Sequence, residues 1–389
     1  MSTLKTTNLQ NASAASPAFV LASDGSATAN LSSLNGGPIA GSRNRIINGD
    51  MRIDQRNAGA SVTPTTNGTY NTVDRWKQLL SQSSKYSVQQ NAGSVTPPAG
   101  FGNYLGCTST SAYSVLAGDY FLLEHDIEGF NFADLDWGTA NAKTITLSFW
   151  VRSSLTGTFG GALQNSAENR SYPISYTISA ANTWEFKTLT VAGDTSGTWI
   201  GATNGVGLRL RFGLGVGSTY SGTSGSWSGS TFFSATGATS VVGTNGATFY
   251  ITGVQLEPGS VATPFERRSH SIEQLLCFRY YHTNVEIGTL PNKGGGSYSE
   301  AVVATVVNTG TSQATMYRFP VPMRAAPTIT IWSPNNGAAG QAWSEITQTN
   351  VSYTSVANAK QFGLTSSHPT GGGISSNAYY YHYAASAEL

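Results

Sequence analysis

The densest cluster of potentially reactive groups in this 389-residue chain is Glu124-His125-Asp126-Ile127-Glu128. On an extended strand Glu124, Asp126 and Glu128 project from one face, with neighbours about 7 Å apart. Carboxyl pairs hydrolyse glycosidic bonds at about 5 Å with retention and at roughly 6.5–9.5 Å with inversion, so this spacing permits hydrolysis. The same oxygens suit Ca²⁺, for which Asp126 and Glu128 are the first candidates, with Asp134 and Asp136 nearby in sequence. The plainer expectation is a solvated strand face, and it is preferred to both. On that reading the chain is not an enzyme and needs no cofactor, Ca²⁺ remaining a minor alternative.

The histidines, His125, His270, His282, His368 and His382, share no His-x-His, His-Glu-x-x-His or Cys/His spacing, so no single-chain zinc site is indicated. A metal held on a threefold axis by one residue per chain stays open. Neither a Gly-x-Ser-x-Gly elbow nor a phosphate-cradling glycine loop with its lysine is present. Aromatic residues are the better lead. Sugar rings stack their apolar faces on Trp or Tyr and satisfy their hydroxyls with Asn, Asp, Arg and Gln. Toward the C-terminus lie Trp332, Trp343 and the run Tyr379-Tyr380-Tyr381-His382-Tyr383. On a strand Tyr379, Tyr381 and Tyr383 point one way and Tyr380 and His382 the other, one face packing a core and the other open to solvent. Glycan-contact candidates are therefore Trp332, Trp343, Tyr379, Tyr381 and His382, with Trp227 added as an aromatic in a Gly/Ser-rich loop. Packing inside an oligomer is an equally weighted alternative for the C-terminal aromatics.

Elements that could carry these residues are legible as β-strands. In Lys143–Arg152, Ile145, Leu147, Phe149 and Val151 share one face, and Thr144, Thr146, Ser148 and Trp150 the other. Val206–Val216 repeats the pattern with Leu208, Leu210, Phe212 and Leu214 inward and Arg209 and Arg211 outward. Segments 184–191 and 248–256 are further strands. Period-two alternation with one wet face predicts antiparallel sheets packed as a sandwich. Ser269–Leu276 is the best helix candidate, with Ser269 or Ser271 as cap, and a strand is expected to open at Cys277. Later strands are expected at 301–307, 314–319 and 328–332. The fold class is all-β in three parts: an N-terminal attachment segment (1–43), a central jelly-roll sandwich (44–268), and a C-terminal β tip (269–389) opened by the short helix.

Composition agrees. Charged residues make up 11% of the chain, against roughly 25% for soluble domains. Aromatics also reach 11%, too many for a disordered chain. With a net charge of +1 and no Lys/Arg cluster, nucleic acid is a poor partner. No apolar run is long enough to insert in a membrane, and no secretion signal opens the chain. Cys107 and Cys277 are too few and too far apart for a disulfide framework, which fits synthesis in a cytoplasm. The first segment buries too little to fold alone. Its apolar residues Phe19, Val20, Leu21 and Leu31 are the candidates for docking to a partner.

Several ordered phrases resemble a group of tailed-bacteriophage and prophage tail-fibre-like proteins. They are Ile46-Ile47-Asn48-Gly49-Asp50-Met51 with Asp54-Gln55-Arg56, then Val73-Asp74-Arg75-Trp76, then Ile127-Glu128-Gly129 running into Ser148-Phe149-Trp150-Val151. Gly253-Val254-Gln255-Leu256-Glu257-Pro258-Gly259 with Ala262-Thr263-Pro264-Phe265-Glu266, and Phe319-Pro320-Val321-Pro322-Met323-Arg324, complete the set. The resemblance implies a jelly roll similar to carbohydrate-binding modules and a homotrimer. It does not fix a ligand; taken with the aromatics and the apolar first segment, it makes the leading expectation a receptor-binding virion fibre that docks on another virion protein through its N-terminus and adsorbs to host polysaccharide or lipopolysaccharide. A purely structural virion component (capsid decoration, head fibre or tail subunit) is the alternative. A polysaccharide depolymerase ranks below both, because no repeated β-helix coils are visible.

Overall fold

The computed structural model describes residues 42–295, 298–308, 311–312, 315–353, 359–366 and 377–389, and three short strands nearer the N-terminus. Those three, β1 (Asn8–Leu9), β2 (Phe19–Leu21) and β3 (Ala27–Ala29), form an antiparallel sheet with β2 in the middle. Phe19, Val20 and Leu21 thus make up its central strand; Leu31 lies outside the described residues.

From residue 76 the strands are β4 (Trp76–Leu80), β5 (Tyr86–Gln90), β6 (Leu105–Ser109), β7 (Tyr120–Glu128), β8 (Ile145–Ser153), β9 (Gly157–Gln164), β10 (Ser171–Ile178) and β11 (Glu185–Val191). They continue as β12 (Val206–Val216), β13 (Ser221–Gly222), β14 (Ser234–Ala235) and β15 (Thr248–Pro258). Ten of them build two five-stranded antiparallel sheets, β10-β9-β12-β7-β4 and β11-β8-β15-β6-β5, while β13 and β14 form a small parallel pair. The inner faces meet as the alternation requires. Ile145, Leu147, Phe149 and Val151 share one core with Leu208, Leu210, Phe212 and Leu214, all at 0% exposure. This is a jelly-roll β-sandwich.

The outer faces depart from the expectation of solvent. Arg211 points out of the core, yet it is 3% exposed, with the ring of Phe233 from the following loop 4.3 Å from its guanidinium carbon. On the other sheet, Thr146, Ser148, Thr252, Gln255 and Glu257 are also buried. Residues 259–268 fold back over them. Glu257 accepts from Thr263 N (2.8 Å) and Thr263 Oγ1 (2.6 Å), and Glu266 N donates to Gln255 Oε1 (2.7 Å). Loops rather than water cover these parts of the two polar faces, while Phe186, Thr188 and Thr190 on β11 stay exposed.

Helix α1 (His270–Phe278) begins at its predicted cap, Ser269 Oγ accepting from Ile272 N at 3.4 Å. It runs further than expected, so Cys277 and Phe278 finish the helix and the strand opens only at β16 (Tyr281–Thr283). Then come β17 (Val302–Asn308), β18 (Thr311–Ser312), β19 (Thr315–Arg318), β20 (Thr328–Trp332), β21 (Gln341–Ser344), β22 (Thr349–Ser352), β23 (Gly363–Ser366) and β24 (Asn377–Ser386). β24 is the hub of this half, pairing with β16, β17, β20 and β21. Its inward residues Tyr379, Tyr381 and Tyr383 join Met323, Tyr353 and Leu364 in a second core.

Candidate functional site

The sequence-derived candidates separate sharply. Tyr379 is 4% exposed and Tyr381 0%, so both are core residues and neither can stack on a sugar from outside. His382 is also buried, at 2%. Trp227 is half-buried and closes one end of the sandwich. It packs edge-on against Trp137 (5.1 Å), Trp199 (5.6 Å) and Tyr172 (5.1 Å), and its indole N–H donates to Ala192 O at 2.8 Å. The loop aromatic is thus a plug rather than a presented ring. Trp332 and Trp343 are half-buried and share one face of the C-terminal sheet.

The carboxylate row is buried as well, which corrects both the solvated-face expectation and the calcium candidates Asp126 and Glu128. Glu124, Asp126 and Glu128 are each 1% exposed, and each meets a cation, from the adjacent strands for Glu124 and Asp126 and from the end of α1 for Glu128. Lys77 on β4 lies 2.7 Å from both Glu124 and Asp126, while Arg211 on β12 pairs with Glu124. Burial works against ionisation of Glu124, but Arg211 and Lys77 outweigh it and hold its carboxyl below the ordinary carboxylate range. Glu128 receives both Nε (2.8 Å) and Nη2 (2.6 Å) of Arg279, and the Tyr280 hydroxyl at 2.6 Å. A cation would have to displace these partners, and no group of three or more metal-ligating side chains occurs among the described residues. The carboxylates do structural work.

The network continues into Asp74, which is fully buried beside Gln55 and Arg56. Burial drives its carboxyl up to about 7, only partly opposed by the Arg56 guanidinium. The native state therefore holds a proton between about pH 4 and 7 that the unfolded chain has released. Stability from this group is complete below the unfolded value and is lost as pH rises through about 7. Thermal midpoints measured at pH 5 and pH 8 should fall less across that interval in Asp74→Asn than in the wild type; equal falls would exclude Asp74 as the source.

What remains accessible is an aromatic groove of about 320 Å³ on the outer face of the β11-β8-β15-β6-β5 sheet. Trp150 on β8 stands directly opposite Phe186 on β11, their rings 5.4 Å apart. Phe186 is 46% exposed. Beside Trp150, β15 bulges at Gly253, whose φ of +61° favours glycine. A Cβ there would lie 2.7 Å from the ring of Phe101 and 3.2 Å from Trp150, so the backbone itself becomes groove floor. Phe101 and Phe265 meet edge-to-face at 5.2 Å, and the Arg267 guanidinium carbon sits 4.7 Å from the Phe101 ring. The Thr263–Glu257 bonds described above hold the loop that carries Phe265 and Arg267.

Farther along, Arg152 lies 5.4 Å from the Tyr250 ring, and Tyr104 touches both Tyr250 (5.2 Å) and Trp184 (5.5 Å), but Tyr104 and Tyr250 are buried and offer no stacking surface. The rings of Trp150 and Phe186 beside the Arg267 guanidinium can stack the apolar face of a sugar while donating to its hydroxyls. The alternation of residues 143–152 turns Trp150 to the outward face. An indole among threonines and serines on a polar face was the available signal. Phe101, Phe265 and Arg267 had none, because they reach the groove only through loop geometry.

No family model matches the chain, and no curated protein matches it. Among solved structures it is similar to the enzymatically active domain of Bacteriophage CBA120 tailspike protein 4, with 12% identity over 47% of this chain and TM-score 0.29. That match spans 19% of the tailspike chain. It is also similar to a family 11 carbohydrate-binding module from Clostridium thermocellum in complex with a β-1,3-1,4-mixed-linked tetrasaccharide (10% identity, 52% of this chain, 98% of the other, TM-score 0.25). A third is TmCBM61 in complex with β-1,4-galactotriose (10% identity, 47% and 88%, TM-score 0.25).

Proposed function

We propose that this chain is a glycan-binding fibre protein of a phage virion. On this reading its N-terminal strands, Phe19 to Leu21 among them, dock on another virion protein, and the sandwich grips host surface polysaccharide or lipopolysaccharide. The observation that carries the reading is the groove formed by Trp150, Phe186, Phe101, Phe265 and Arg267. The glycan contact thus moves from the C-terminal aromatics to the sandwich. A homotrimer, three grooves to a fibre, would convert weak single contacts into strong adsorption by avidity.

The test is an array of bacterial surface polysaccharides probed with the full chain and with Trp150→Ala. The wild type should bind at least one polysaccharide. The substitution removes the central platform and should cost about 2 kcal/mol, roughly thirtyfold in affinity. An unchanged thermal midpoint would show that the fold is intact. Absence of binding by the wild type, or equal binding by the variant, would overturn the reading and favour a purely structural virion component.

A further inference from the structure

Almost every arginine of the sandwich is neutralised by its own chain. Ten lie between residues 44 and 268, and eight of them pair with a carboxylate. The two exceptions are Arg152 and Arg267, and both belong to the outer face that carries the aromatic groove. Arg152 follows Trp150 by two residues on β8, on the same side of the strand and about 7 Å farther along. It is half-buried, with Nε donating to Asn182 O at 3.0 Å. Arg267 lines the groove itself.

Arg267 is held in place without being neutralised. Its guanidinium carbon lies 4.7 Å from the Phe101 ring and 5.7 Å from the Phe265 ring. Ring faces attract a cation but carry no net charge. Nη2 packs against Gly100, where a Cβ would stand 2.9 Å away and where φ is +86°, so this position suits glycine. The side chain makes no hydrogen bond or ion pair among the described residues, and none of the groove's described lining residues is acidic. A guanidinium fixed by two rings, with its donors unspent, is preorganised for an anion.

The rings set where that anion arrives. Phe101 and Trp150 both approach Gly253, at 2.7 and 3.2 Å from its would-be Cβ, and Arg267 lies against Phe101. A glycan stacked on Phe186 and Trp150 therefore runs past Gly253 toward the guanidinium. One lone, planar cation matches a flat, singly charged carboxylate, whereas a phosphate monoester would bring a second charge with no partner.

On the glycan-binding reading of the groove, we propose that it selects acidic polysaccharides. One sugar stacks on Trp150 and Phe186, and the carboxylate of a hexuronic acid in the same glycan pairs with Arg267. Arg152 adds a second positive charge to the same face.

The test compares bacterial polysaccharides as isolated and after carbodiimide-mediated reduction of their carboxyl groups, which turns each uronate into a neutral hexose. The full chain should bind uronate-containing polysaccharides and lose at least tenfold in affinity on reduction. Arg267→Gln alters an exposed side chain and should weaken the unreduced polymer at least fivefold with no change in thermal midpoint, while Arg267→Lys, which keeps the charge, should retain part of the binding. Binding that survives both reduction and Arg267→Gln but is lost in Trp150→Ala would overturn the acidic preference and leave the groove as a neutral-sugar site. Binding only of phosphorylated glycans would overturn it in favour of phosphate. No binding by the wild type to either form would overturn both the preference and the glycan-binding reading.

Discussion

Replacing Glu388 by alanine should destabilise the protein by about 3–5 kcal/mol, the cost of leaving a buried ion without its partner. Glu388 lies between Arg75 and Arg56, pairing with both, the Arg56 contact at 2.5 Å. Arg75 has 0% exposure. Without the carboxylate its remaining contacts among the described residues are the carbonyl of Asp126 (2.6 Å) and the Tyr280 ring, 3.7 Å from its guanidinium carbon. The Asp126 carboxylate, which also acts on Arg75, is already paired with Lys77. At roughly 2–4 °C for each kcal/mol in domains of a comparable size, the thermal midpoint should drop by about 10 °C. A fall under 2 °C would show that water reaches Arg75. The double variant Glu388→Ala, Arg75→Met should recover part of the loss, because two removed charges cost less than one left alone.

Asn48→Ala should be as damaging, at about 3–5 kcal/mol, through hydrogen bonds and backbone rather than charge. Asn48 is fully buried with φ +58°. Its Nδ2 donates to Ile53 O (2.8 Å) and Asp74 O (3.0 Å), and its Oδ1 accepts from Ile53 N (3.0 Å). Alanine leaves these groups buried and unsatisfied and tolerates the left-handed backbone poorly. Asn48→Gly removes the same bonds but relieves the backbone, so urea unfolding should find it about 1 kcal/mol less costly. A cost below 1 kcal/mol for the alanine variant would mean that the loop reorganises around it.

These two residues show where sequence reading worked and where it stopped. The core strands were legible because Ile145 to Val151 and Leu208 to Leu214 obey a local period that one buried face imposes. Helix α1 was legible from Ser269, a local cap. The phrases around Asn48, Asp74-Arg75-Trp76 and Gln255 to Glu257 could be recognised but not explained, since each is a buried polar junction. Asn48 O accepts from the Trp76 indole at 3.1 Å, and Gly49 lies so close to Val254 that a Cβ would stand 2.2 Å from its carbonyl oxygen. Such contacts join residues far apart in the chain, and no period announces them. For the same reason Glu124, Asp126 and Glu128 were read as wet: polarity indicates the outside of a sandwich only where nothing folds over it. The tyrosines of β24 were correctly sorted into two faces, but which face was core depended on partners from β17, β20 and β21.

The Glu388 clasp also sets an order of events during synthesis. The sandwich strands end at Pro258, 130 residues before Glu388. At roughly 5–20 residues per second, a ribosome needs on the order of 10 s to cover that interval. During it, Arg56 and Arg75 have been made and have no carboxylate from Glu388 to meet them. A nascent chain halted before that point should be open to proteases at the surface that the clasp later covers, and should become resistant once residue 388 has emerged.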